Sequence, residues 1–335
     1  MLTLDGSIGE GGGQILRTAL ALSVLTRTPF QITHIRAGRH KPGLLRQHLT
    51  GVHAAQAISG ASVTGDALGS TAIAFIPQDT IPGEYAFAVG SAGSANLVLQ
   101  TILPPLMLAN APSRIQIDGG THNDASPPYH FLEAVFAPLL ARMGPRLGLS
   151  LNRWGFAPAG GGRLTAEISP VAKLSALLLL ERGDIEEWEI TAAISAIPES
   201  VGHREVAEIC KRLHRPLGDA RVFSVPDPVG PGNVVWVKAI AEHVTALFTS
   251  FGKQGLPAEE VAKRLCKEVE HWKNSGTPVD EHLADQLLIP LALGGGAFRT
   301  TEPSEHTRTN AQIIQKFLGT SFRIEPEGDA WWIGV

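Results

Sequence analysis

The chain has 335 residues, 18% of them charged, a formal net charge of −4 and only two cysteines. That length suits one large domain or two ordinary ones, and the abundant glycine and proline suit a compact, turn-rich α/β protein. Cys210 and Cys266 form no CxxC, which excludes a disulfide framework and a zinc knuckle. The longest apolar run, Leu97 to Ala111, is too short for a bilayer and contains Gln100 and a Pro-Pro pair. Met1-Leu2-Thr3-Leu4 alternates like a first strand rather than a leader, so a cytoplasmic protein without membrane contact is expected.

That strand, Leu2 to Leu4, runs through SIGEGGGQILR into an apolar helix expected over Ile15 to Leu25. Setting Glu10 among four glycines costs chain entropy. Two readings stand. The loop is a tight turn with a solvated glutamate, or its backbone approaches a phosphate, with a metal ion between that phosphate and Glu10. A second strand, Phe30 to Ile35, leads through RAGRHKPG to a helix over Leu44 to Ile58. Gly60 ends it as a left-handed cap, and ASVTGDALGSTAIAFIP follows as a hairpin. Between Gly11 and Gly65 there is no Asp or Glu, while Arg17, Arg27, Arg36, Arg39, Lys41 and Arg46 all fall there. Such one-sided charge reads as a phosphate footprint despite the negative net charge.

The same order recurs from YAFAVGSAGSANLVLQTILPPLMLA through RIQIDGGTHNDASPPYHFLEAVFAPLLARMG. It recurs again from VDEHLADQLLIPLALGG through AFRTTEPSEHTRTNAQIIQKFLG to the hairpin SFRIEPEGDAWWIGV. These are three copies of a unit with two helices on one face of a small sheet. The segment from Glu181 to Ser275 breaks the pattern. It starts acidic, holds both cysteines, and carries helices near Ser200 to Leu213 and Pro257 to Lys273 around a strand VVWVKAIA. The expected class is therefore α/β (α+β): a large domain, 1–180 with 276–335, and an inserted small α/β domain, 181–275.

Each unit's loop before its second helix carries polar residues beyond what a turn needs: Arg36, Arg39 and Lys41; Thr121, His122, Asn123 and Asp124; His306, Thr307, Arg308, Thr309 and Asn310. Asn310 reads as a helix N-cap. His306 is a candidate base, metal ligand or covalent nucleophile, since an unperturbed pKa of ~6.5 leaves much of a histidine neutral near pH 7. Gln100 interrupts an apolar helix and needs partners, either core groups or a ligand. In HLADQ, Asp285 can simply complement a helix dipole. Arg36, Arg39 and Arg46, with Arg17 and Lys41, are the candidates to meet phosphates, because arginine's planar fork donates paired hydrogen bonds.

In order along the chain, GEGGGQILR, IRAGRHKPGLLRQHL, GSAGS before NLVLQT, GGT…PP, GPGN, HLADQ and EHTRTN closely resemble the RNA 3′-terminal phosphate cyclase family. The match covers essentially the whole length, and RAGRHKPGLLRQHL is its most specific part. The resemblance implies three βαβαββ-type units with a thioredoxin-like insert. It implies ATP-dependent conversion of an RNA 3′-phosphate to a 2′,3′-cyclic phosphate through a covalent histidine–AMP, with His306 at the nucleophile's position. Gln100 and His282, Leu283, Ala284, Asp285 and Gln286 match ATP-binding positions, and Glu10 matches the carboxylate that engages a divalent metal, Mg or Mn. His282 stands where some members carry tyrosine, and Pro127 or Pro128 is the candidate for the other face of the adenine. The partner implied is RNA with a 3′-terminal phosphate; no protein partner is evident. Two other readings are a non-catalytic RNA-binding relative, which would lack the histidine, and an enolpyruvyl-transferase-like enzyme built from similar units.

Overall fold

The computed structural model describes residues 1–124 and 126–335 and has a mixed α/β architecture. The first sheet collects β1 (Leu2–Asp5), β2 (Phe30–Thr33), β3 (Ser62–Thr64) and β4 (Ile73–Ile76) in the order β1-β2-β4-β3. β1 and β2 are parallel, β4 antiparallel to both its neighbours. Helices α1 (Gln14–Thr26) and α2 (Arg46–Ala57) make the two crossovers. β2 ends at Thr33, two residues earlier than the sequence predicts, because His34 and Arg36 take left-handed backbone with φ of 54° and 57°.

The second sheet has the same plan. β5 (Glu84–Ala88), β6 (Ser113–Gly119), β7 (Arg146–Arg153) and β8 (Gly162–Ser169) run in the order β5-β6-β8-β7, the first pair parallel and the others antiparallel. Its first helix is α3 (Ala95–Leu106). Its second is built from α4 (Tyr129–Phe131), a π turn at Leu132–Phe136, and α5 (Ala137–Met143). The third sheet, β15-β16-β14-β9, repeats the directions with a long interruption. β9 (Leu177–Leu179) pairs in parallel with β14 (Gly296–Thr300), and β15 (Arg323–Glu327) with β16 (Ala330–Gly334) forms the hairpin read from the sequence. Helices α8 (Glu281–Gly294) and α9 (Glu305–Leu318) accompany it.

Between β9 and α8 a fourth sheet forms from β10 (Ile185–Ser195), β11 (Ala220–Ser224), β12 (Gly232–Ala241) and β13 (Thr245–Phe251), ordered β11-β10-β12-β13. Alternation along β12 sorts its side chains. Val235, Val237 and Ala239 face α6 (Ser200–Arg212) and α7 (Ala258–Ser275) in a core with Trp272 and both cysteines, while Val234 and Trp236 join the main core. Both cysteines are free, and burial pushes Cys266 up to about 12, so neither is a ready thiolate. The main core gathers α1, α3, α8 and α9, with Leu20, Leu99, Leu287 and Ile314 fully buried. Their N-terminal ends and the loops ahead of them carry the polar residues described next. Among the described residues, no helix is long and apolar enough to cross a membrane.

Candidate active site

The glycine-rich loop between β1 and α1 is held in shape from outside. Gly9 and Gly11 adopt φ of 61° and 54°, where a side chain is strained. A Cβ on Gly13 would lie 2.4 Å from His48 Nε2. The N-cap of α1 is Gly13, which offers no side-chain cap, and no acid lies in the first turn, so the free N–H groups favour an anion. Glu10 projects from this loop with its carboxylate 43% exposed.

Two contacts define what Glu10 is near. Its Oε2 lies 2.9 Å from His306 Nε2 and accepts from Arg39 at 3.2 Å. His306 stands in the first turn of α9, whose N-cap is Ser304, with Oγ accepting from Thr307 N–H. The cap is therefore not Asn310. Asn310 lies a turn further in, buried, with Nδ2 donating to Asp285 Oδ1 at 2.9 Å and to the Asp285 carbonyl at 3.2 Å, while its Oδ1 accepts from Thr18 at 2.7 Å. Similarly, α8 is capped by Asp280, which accepts from the N–H groups of His282 and Leu283. Asp285 has no need to serve the dipole. It turns into the site instead.

Asp285 is the hub. It accepts from Gln14 Nε2, from Asn310 and from Gln286 Nε2 at 3.2 Å, and Gln286 in turn accepts from Gln100. Gln14 Oε1 faces His306 Nδ1 at 2.6 Å. Desolvation pushes the Asp285 carboxyl up, opposed by the Asn310 hydrogen bond and the charges of His306 and Arg17. Beside this network a cavity of about 60 Å³ opens, polar at Arg17, Gln100, Asp285 and Asn310, apolar at Leu103 and Phe136.

Basic residues surround the loop. Burial lowers Arg17 to about 10, partly offset by Asp285. Burial also holds His48 down to about 3, with the Arg17 and Arg36 charges adding to it, so that imidazole is neutral. Arg36, however, donates to the carbonyls of Lys41 at 2.6 Å and Gly43 at 2.8 Å, clasping its own loop from a buried position. Lys41 and Arg46 are exposed. Leu283 and Ala284 are fully buried core residues, leaving only their backbone to meet a ligand. His282 is 71% exposed beside Glu281, and the Pro127 carbonyl accepts from Asn96 while Pro128 precedes α4.

The hydrogen-bonded network thus joins Glu10, Gln100, Asp285, Gln286, His306 and Arg39, and leaves Lys41, Arg46, His282 and the two prolines outside it. A profile of the family described as RNA 3′-terminal phosphate cyclase matches residues 8–324. The chain belongs to the RNA 3′-terminal phosphate cyclase family. A protein of that name from Koribacter versatilis is 50% identical over 328 residues, 98% of this chain and 92% of its own. Cyclases so named from Ralstonia nicotianae and Salmonella agona are 49% and 47% identical, over 98% and 97% of this chain and 95% and 94% of theirs.

Within this family member, Gln14, Thr18 and Asn310 are the site residues that the sequence reading missed. A signal was present. Gln14, Arg17 and Thr18 form a polar stripe at helical spacing on an otherwise apolar helix, the same anomaly that singles out Gln100. Among the described residues no three His, Cys, Asp or Glu side chains converge as a metal cage. One carboxylate on a glycine loop nevertheless fits a hard divalent cation, which typically takes one or two carboxylates and completes its shell with phosphate and water.

Proposed function

We propose that this chain is an ATP-dependent RNA 3′-terminal phosphate cyclase that works through a covalent histidine–AMP at His306. The observation that carries the reading is the 2.9 Å approach of His306 Nε2 to Glu10 on the glycine loop, at the uncapped N-terminus of α1. His306 Nε2 attacks the α-phosphorus of ATP, the α–β phosphoanhydride breaks, and pyrophosphate leaves. An oxygen of the RNA 3′-phosphate then takes AMP from the nitrogen. The neighbouring 2′-hydroxyl attacks the activated phosphorus, loses its proton and expels AMP, closing the 2′,3′ ring.

Glu10 would hold a divalent cation, Mg or Mn, whose charge offsets that of the triphosphate. Gln100, Gln286 and Asp285 line the side where ATP would sit, with the backbone of Leu283 and Ala284 behind it. His282 and Pro127 or Pro128 are proposed to flank the adenine. Arg17 and Arg39 face the loop and suit anionic phosphates, with Lys41 and Arg46 further out for upstream RNA; Arg36 serves that role only through the loop it clasps. The recurrence of one sheet plan supports a large domain of three repeated βαβαββ-type units, 1–180 with 276–335. The separate core supports an inserted thioredoxin-like domain, 181–275, and ATP and RNA as substrates are consistent with a cytoplasmic protein.

The experiment is incubation with ATP labelled at the α-phosphate and a divalent metal. Acid-labile label should remain on the denatured chain and vanish in His306→Ala. Absence of label, or undiminished label in the variant, overturns the assignment; a non-catalytic relative or an enolpyruvyl transferase predicts no such label.

A further inference from the structure

An imidazole attacks through the nitrogen that carries no hydrogen, so a histidine nucleophile needs its tautomer fixed. Resting on the assignment of His306 as nucleophile, we infer that Gln14 is the positioning residue that keeps the hydrogen on His306 Nδ1 and so leaves Nε2 free to attack. The main-chain carbonyl of Asp285 can only accept, and Asn310 donates to it at 3.2 Å, which orients the Asn310 amide. That amide's nitrogen also meets Asp285 Oδ1 at 2.9 Å, and the Gln14 nitrogen donates to the same oxygen. Turning the Gln14 amide over would set its oxygen against that carboxylate, acceptor against acceptor. Gln14 Oε1 therefore faces His306 Nδ1, at 2.6 Å, and an amide oxygen there requires an N–H from the ring.

The other ring nitrogen has a looser neighbour. Nε2 lies 2.9 Å from Glu10, whose carboxylate sits on the glycine loop, is 43% exposed, and is shared with Arg39. Gln14 is only 7% exposed and is locked by residues of α8 and α9. The Glu10 carboxylate also accepts, so with Glu10 in place Nε2 carries a hydrogen too. When a cation or phosphate draws Glu10 aside, Nε2 loses that acceptor and can shed its hydrogen while Nδ1 keeps its own on Gln14. The arrangement gives His306 what a buried aspartate gives the histidine of a serine-protease triad, with a neutral amide interposed between carboxylate and ring.

The test reads the ring directly, without ATP. In protein labelled with ¹⁵N-histidine at pH 8, the His306 signals, identified by their loss in His306→Ala, should show hydrogen on Nδ1. Gln14→Met keeps the side-chain volume and removes the acceptor; there Nδ1 should lose its hydrogen. Adenylylation of the variant at saturating ATP should fall on the order of a hundredfold, with the ATP concentration for half-maximal rate near wild type. A bare Nδ1 in the wild-type protein overturns the inference, whether or not the variant folds. So does a folded Gln14→Met with unchanged ring or rate. Failure of His306 to take label from α-labelled ATP sinks the nucleophile assignment instead, and the ring measurement still reports what Gln14 does.

Discussion

Asp285 and Glu205 are both carboxylates whose pKa is raised by burial, and they sit in contrasting company. Asp285, in α8, collects donors from three helices: Gln14 of α1, Gln286 of its own helix and Asn310 of α9. Glu205, in α6 of the inserted sheet, is fully buried with one bond, from Asn233 at 2.6 Å, and among the described residues its Oε2 has no partner. Burial alone does not mark a functional acid. Convergent donors from separate elements set Asp285 apart, because they define where charge and hydrogen atoms must lie. A half-partnered acid in a core instead ties stability to pH.

The sharpest break in that contrast is Asp285→Ala. It strands the Gln14 and Asn310 donors and should abolish detectable His–AMP, with about 1–3 kcal/mol lost in chemical denaturation. Normal adduct formation would show that the hub is only structural. Glu205→Gln probes the other side. Its pKa rises from 4.5 to about 7 on folding, so the folded state binds the proton more tightly. The stability it confers is full below pH 4.5 and is lost as pH climbs through 7. Wild type should therefore weaken by up to about 3 kcal/mol between pH 4.5 and 8, and the glutamine variant should remove most of that slope while keeping adenylylation. An unchanged slope in unfolding titrations at the two pH values would refute it.

Glu10→Ala should slow adduct formation about tenfold or more, with partial recovery at high metal. Equal rates would return the glycine loop to a plain turn. The smallest effect belongs to Arg46, exposed and outside the network. Arg46→Ala should flatten the log–log salt slope of RNA binding by about 0.7, the loss of one single-strand phosphate contact, and leave adenylylation unchanged. Arg36→Ala, by contrast, should behave as a folding variant of the loop, since its guanidinium already serves two carbonyls.

The sequence exposes what is periodic or local and hides what is distant. The apolar period of α1 and the hairpin at 323–334 are readable because neighbouring residues determine them. β9 is three leucines whose parallel partner, β14, lies more than a hundred residues away, so no local pattern announces it. Asn310 misleads because asparagine suits a cap, yet Ser304 takes that place and Asn310 is drawn inward by an acid on another helix. Arg36 misleads likewise. Charge patterning reveals an electropositive loop but not which arginine points back into it. Glu10 and His306 are visible as isolated oddities, and only the packing of α1 against α9 brings them within 2.9 Å.

Gln14 and His306 are separated by 292 residues, which gives the site a history during synthesis. At a ribosomal pace of about 5–20 residues per second, α1 waits on the order of 15–60 s before α9 leaves the exit tunnel. For that interval the apolar side of α1 has no α9 to cover it and must rely on α2 and α3 or on a chaperone. The nascent chain can bury the first two sheets, yet His306, the proposed nucleophile, is absent until α9 arrives. The Gln14–His306 pair therefore forms only after α9 has been made.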